Sequence, residues 1–203
     1  AFKPELKEHW PGVALSPDGR WLVVSVARTF DQTDLYLADR DAGGALRPVV
    51  QGEPFTYEGQ VAHGRLYVRT NRDATNYRLF VADPARPDPA GWREIVPSRP
   101  EAVLDGVLVT RQRLVLSYLE RATSRLRLAG LEGEAPRELE LPGPGSVFGW
   151  GGEPDGDELF YGFNSYTTPP SVYRVELTGP AAALWRRVEA DIDPDAFEVR
   201  QVT

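Results

Sequence analysis

A repeat constrains this chain more than any other feature. Apolar stretches at residues 21–26, 65–68, 113–116 and 158–161 align on Leu22, Leu66, Leu114 and Leu159, at steps of 44, 48 and 45 residues. A second set, 34–37, 78–81, 125–128 and 172–175, aligns on Leu35, Leu79, Leu126 and Tyr173, at steps of 44, 47 and 47. Two anchors that keep one spacing imply a structural unit used four times. Each unit also carries a first strand (12–15, 58–61, 107–109, 147–150) and a short outer strand (48–50, 94–96, 138–141, 187–189). Alternating side chains broken by Gly, Pro and Asp are hairpin signals. The SPDG at 16–19 and the EPDG at 153–156 are turn chemistry, with Pro setting φ and Gly expected in the left-handed region.

Four antiparallel strands in 40–50 residues describe a propeller blade. A lone sheet cannot cover both faces, so such sheets must stack and bury alternate side chains between them. The fold class expected is all-β, with about four four-stranded antiparallel sheets forming propeller blades. A sandwich or an open stack of meanders would use similar strands, but the regular period favours blades. The core expected is Leu22, Val24, Leu35, Leu37, Leu66, Leu79, Val81, Leu114, Leu116, Leu126, Leu128, Leu159, Tyr161, Tyr173 and Val175. The organisation expected is a leading segment at 1–11, blades at 12–52, 53–97, 98–145 and 146–190, and a linker at 191–203.

Composition narrows the function classes. At 203 residues with 41% hydrophobic and 26% charged content, the chain can bury a real core. Its net charge of −7 lacks the basic footprint of a nucleic-acid binder. No apolar run approaches the roughly 20 residues that span a bilayer, so no membrane partner is expected. Without cysteine there is no disulfide or thiol chemistry, which fits a cytoplasmic setting. Without methionine, not even an initiator, the chain is expected to have been processed or cut from something longer. His9 and His63 are isolated and expected to be surface residues, and neither a metal nor a cofactor is expected. Asp191, Asp193 and Asp195 have the spacing of a calcium loop, but Ala196 stands where the sharp turn needs Gly, so a solvated linker is the better reading.

Five stretches in order resemble the propeller of the prolyl oligopeptidase family of serine peptidases. They are the TDLYL at 33–37, the RLYVRTNR at 65–72 with NYRL at 76–79, the WREIVP at 92–97 and the FYGFNSYTTP at 160–169, in which Asn164 stands where that family usually has Thr. The resemblance implies part of a seven-bladed propeller, its last four blades, with the tail leading into an α/β-hydrolase domain as partner. It implies a parent that cleaves short proline-containing peptides, and a propeller that gates access and lines the cavity. A nucleophile elbow of the G-x-S-x-G kind is absent: in the GSVFG at 145–149 the Ser directly follows the Gly, so no catalytic residue is expected in this chain. The loops between second and third strands (27–31, 71–75, 119–123, 164–168) open on one face, which in that family looks onto the cavity. Arg72, Asn71, Arg28 and Asn164 are the candidate cavity residues, and Tyr166 and Thr168 the candidate contacts to the hydrolase domain. Arg72 matches the family's TNR arginine, where a guanidinium would hold peptide carbonyls or a carboxylate. Two other readings are an autonomous closed four-bladed binding module and self-association through open blade faces.

Overall fold

The computed structural model describes residues 8–179 and 181–189. The leading residues 1–7 and the linker with its aspartates at 191–203 lie outside the described residues. The described chain forms four four-stranded antiparallel sheets, which are propeller blades, and it divides into two compact units at Pro100/Glu101.

The first unit holds two blades. One is β1 (Trp10–Leu15), β2 (Trp21–Ala27), β3 (Thr33–Asp39) and β4 (Arg47–Val50), and the other is β5 (Tyr57–Ala62), β6 (Arg65–Thr70), β7 (Arg78–Ala82) and β8 (Arg93–Val96). Both are simple meanders with strands in chain order. The opening turn is built by its own side chains. The Gly19 amide donates to the Ser16 carbonyl at 2.8 Å, the Trp21 amide donates to Ser16 Oγ at 2.8 Å, and Gly19 takes φ +73°. Arg20 then forks onto Asp39 at 2.8 and 3.1 Å, tying the start of β2 to the end of β3. That guanidinium holds the Asp39 carboxyl below its usual range. Between β5 and β6, His63 and Gly64 form a two-residue turn with φ of 51° and 68°, the geometry that matches strand twist.

Trp21, Val23, Leu35 and Leu37 on one blade meet Tyr57, Val61, Leu66 and Val68 on the next. Gly59 permits this approach: a Cβ there would lie 3.0 Å from both methyls of Leu35. Trp92 closes the outer side, 6.1 Å edge-on to Tyr57, with its indole N–H on the Pro87 carbonyl at 3.0 Å.

The second unit repeats the plan. It comprises β9 (Val103–Val109), β10 (Leu114–Glu120), β11 (Thr123–Ala129) and β12 (Arg137–Leu139), then β13 (Ser146–Gly151), β14 (Glu158–Asn164), β15 (Ser171–Glu176) and β16 (Ala182–Arg187). Val115, Leu126 and Leu128 pack against Leu159, Tyr161, Phe163, Tyr173 and Val175. Tyr161 and Tyr173 stack at 5.3 Å, and both rings are buried.

Inside each unit the same two polar staples join neighbouring blades. The amide that starts a third strand donates to the lead-in of the next blade, Thr33 to Phe55 at 3.0 Å and Ser124 to Gly145 at 2.9 Å. An outer-strand arginine reaches carbonyls of the next blade, Arg47 to Pro84 and Ala85, and Arg137 to Leu177 and Gly179. The staples satisfy backbone groups that sheet pairing leaves over, which buried or half-buried segments require.

Several expectations need correction. Leu22 is half-buried, whereas Trp21 and Val23 hold the inter-blade face. The run 21–24 is apolar throughout, so its alternation has no readable phase. The last outer strand is 182–187, not 187–189: the four outer strands start 46, 44 and 45 residues apart, so the repeat step itself reaches 182, and the expectation missed it because Ala182 and Ala183 carry little strand propensity. Gly156 is not left-handed; its amide closes the turn on the Glu153 carbonyl at 2.9 Å. His9 is buried rather than exposed.

Candidate functional site

The loops between second and third strands take different shapes, and each is set by local chemistry. In the first blade, the Arg28 and Thr29 amides both donate to the Gln32 carbonyl, which pushes Phe30 fully into solvent. Arg28 pairs with Asp34 at 3.3 Å. Asp34 is buried, and its other oxygen accepts the Gly52 amide at 2.8 Å. The Arg28 head is therefore anchored by a carboxylate that is itself fixed.

In the second blade, Asn71 turns inward. Its side-chain oxygen accepts the Thr56 amide at 2.8 Å, fixing the chain just ahead of β5. Arg72 lies 3.7 Å from Glu53 and 3.8 Å from Asp73, and its carbonyl accepts two bonds from Arg78. Glu53 also accepts a short bond from the Tyr57 hydroxyl. Burial pushes the Tyr57 phenol far above its ordinary range, and the Glu53 acceptor adds to this. Arg72 is thus half-exposed but steered by Glu53.

Tyr77 ends this loop at φ +62°, a strained conformation for a bulky residue. Three contacts hold it there. Its amide donates to the Ala74 carbonyl at 2.9 Å, its hydroxyl bonds Thr56 Oγ1 at 3.1 Å, and the Arg69 guanidinium lies 4.2 Å from its ring centroid. Arg69 in turn grips Glu58 at 2.6 and 3.1 Å.

These two loops meet the inner strands β1 and β5 around a cavity of about 420 Å³ within the first unit. Its wall includes Glu8, Trp10, Arg28, Phe30, Glu58 and Tyr77. Of the candidate residues, Arg28 lines it, whereas Asn71 supports it through Thr56 and Arg72 stands outside it. In the second unit, Asn164 ends β14 opposite Ser146. Ser165 and Thr168 close a turn on each other, amide to carbonyl at 3.0 Å and amide to Oγ at 2.9 Å, leaving Tyr166 fully exposed. Sequence reasoning missed Trp10, Glu58 and Tyr77; only the NYRL stretch pointed near one of them. Among the described residues no group of three or more His, Asp or Glu is placed to hold a metal ion. No helix among them is long and apolar enough to cross a membrane.

The family model for the prolyl oligopeptidase N-terminal β-propeller domain matches residues 2–188. The chain belongs to the prolyl oligopeptidase family. Prolyl endopeptidases of Elizabethkingia miricola and Elizabethkingia meningoseptica are 26% and 25% identical to it over 93% and 94% of its length, and it covers 26% and 27% of theirs. A solved chain from work on two prolyl endopeptidases superposes with a TM-score of 0.88 at 35% identity, covering 96% of this chain and 28% of that one. Prolyl oligopeptidase B of Galerina marginata, in its apo form, shares the fold with a TM-score of 0.84 at 22% identity, covering 94% and 28%. The chain therefore spans about a quarter of the prolyl oligopeptidase relatives it matches.

Proposed function

We propose that these blades belong to a proline-directed serine peptidase, in which an α/β-hydrolase domain of the same protein does the chemistry. The propeller admits short peptides and lines part of the cavity. The observation that carries this reading is the family match along nearly the whole chain, combined with coverage of only about a quarter of the relatives. Arg28, Asn71 and Arg72 in the first unit and Asn164 in the second lie in or beside loops between second and third strands and would look onto the cavity, and the exposed Tyr166 with Thr168 would touch the hydrolase domain. Arg72 would hold a peptide carbonyl or carboxylate in ground and transition state alike. Arg72→Ala should then raise KM several-fold and leave kcat nearly unchanged.

The test uses the full-length protein that carries these residues. It should cleave a short proline-containing reporter and spare a long polypeptide bearing the same site, and the 203-residue chain alone should cleave neither. Equal cleavage of both substrates, or cleavage by the 203-residue chain, overturns the reading.

A second reading concerns partners. The outer face of the last blade shows Phe148, Val172 and Trp185, which are 45%, 37% and 57% exposed. Phe148, Gly162 and Val172 are register partners, and Phe160 lies 5.8 Å from Trp185, so the patch is one sheet face. In the parent a further blade would cover it; in the 203-residue chain it would drive self-association. Sedimentation velocity across a concentration series should show association, and a monomer at every concentration refutes it.

A further inference from the structure

The cavity of the first unit has a chemistry that the family assignment does not explain. Its volume of about 420 Å³ lies in the ordinary range for ligand sites, roughly 300–1,000 Å³. Two carboxylates, Glu8 and Glu58, line it together with three aromatic rings, Trp10, Phe30 and Tyr77. Arg28, the one guanidinium among the described residues of its wall, already has the buried Asp34 at 3.3 Å. Among the described residues of the wall and their ion-pair partners, Arg28 is matched by Asp34 and Arg69 by Glu58, which leaves Glu8 as the excess negative charge.

The aromatic side has the same preference. Trp10 is 70% exposed and Phe30 is fully exposed, so their ring faces are open to a ligand, and such faces attract cations. Tyr77 is held in a strained backbone by its hydroxyl bond to Thr56 and by the Arg69 head over its ring. A bulky residue kept at positive φ by several contacts is the kind of strain that collects at ligand clamps.

We propose that this cavity binds a cationic group of a peptide, an ammonium or guanidinium. Trp10 and Phe30 provide ring faces and Glu8 the opposing charge, while Arg69 already bridges Glu58 and Tyr77. The inference rests on the reading that peptides are the substrates. It adds that a basic residue or free amino terminus, away from the cleaved bond, is recognised by the propeller itself.

The probes are fluorescently labelled proline-containing peptides of one length, carrying Lys, norleucine or Glu at one position. Each is made with a free and with an acetylated amino terminus, and binding to the 203-residue chain is read by fluorescence anisotropy. The Lys peptide should bind about fivefold tighter than the norleucine peptide, with the preference shrinking as salt rises. If the amino terminus is the group held, the free-terminus arm carries the difference instead. Glu8→Gln and Trp10→Ala, both at exposed side chains, should each abolish most of the preference while thermal melts stay unchanged. Equal binding of all peptides, no binding of any, tighter binding of the Glu peptide, or a preference that survives both substitutions overturns the proposal. Because binding is read without cleavage, loss of the preference counts against this site alone. Absence of proline-directed cleavage by the full-length protein counts against the peptidase reading alone.

Discussion

Replacing Tyr161 by Phe should stabilise the chain. The Tyr161 hydroxyl is buried in the core between the last two blades and has no hydrogen-bond partner. A buried hydroxyl stripped of water without compensation costs about 1–3 kcal/mol. Its removal leaves a void of one oxygen, whose lost contacts are worth about 0.5 kcal/mol. The ring itself, stacked 5.3 Å from Tyr173, is unchanged by the substitution. The net gain expected is about 1 kcal/mol, or about 2–4 °C in Tm for a cooperative unit of this size. The phenol offers a second readout. Burial, and after it Tyr173, pushes the Tyr161 phenol up to about 12. Below about pH 10 both folded and unfolded chains keep the proton. Between there and about 12 only the unfolded chain loses it, so stability present at neutral pH is lost as pH rises across that window. Urea unfolding followed by tryptophan fluorescence at pH 8 and pH 11 should show a higher midpoint for Tyr161→Phe at both. The gap should widen at pH 11, where only the parent chain suffers this loss. A midpoint lowered at pH 8 would mean that the hydroxyl has a partner, and the reasoning would fail.

Gly145→Ala should destabilise by about 1–3 kcal/mol in the same assay, because a Cβ would sit 2.5 Å from the Asn164 carbonyl oxygen and the Phe163 ring; an unchanged midpoint refutes the close approach. Ala122→Gly should stabilise by about 0.5–1 kcal/mol, since Arg121 and Ala122 form the β10–β11 turn at φ of 48° and 62°, which Gly adopts without strain. Asn71→Ala should cost about 1–2 kcal/mol by leaving the Thr56 amide without its acceptor, and should also weaken peptide binding in the anisotropy assay, because Thr56 supports Tyr77. Full stability of that variant would show that water replaces the side chain.

The site was less legible than the fold. The motif that singles out Arg72 does not show that Glu53 stands beside it. The side-chain oxygen of Asn71 fixes the chain ahead of β5, a bracing contact that its place in the loop does not announce. The cavity joins residues 8–10, 27–33, 56–58 and 77. No local pattern links these, because inner strands of neighbouring blades touch only after stacking. Tyr77 carries its signal in a backbone angle, which a side-chain alphabet does not show.

The amino-acid order alone determined the blade count, the meander within each blade and most of the core. These follow from a two-residue alternation and a spacing that recur along the chain, both local properties of a pleated strand. Of the fifteen core residues named from sequence, only Leu22 fell outside the buried set. Tertiary structure alone decided which face of an all-apolar run turns inward and which polar side chains brace the backbone. Each of those depends on what stands opposite after the sheets stack, and an opposing surface is not written in the residues it covers.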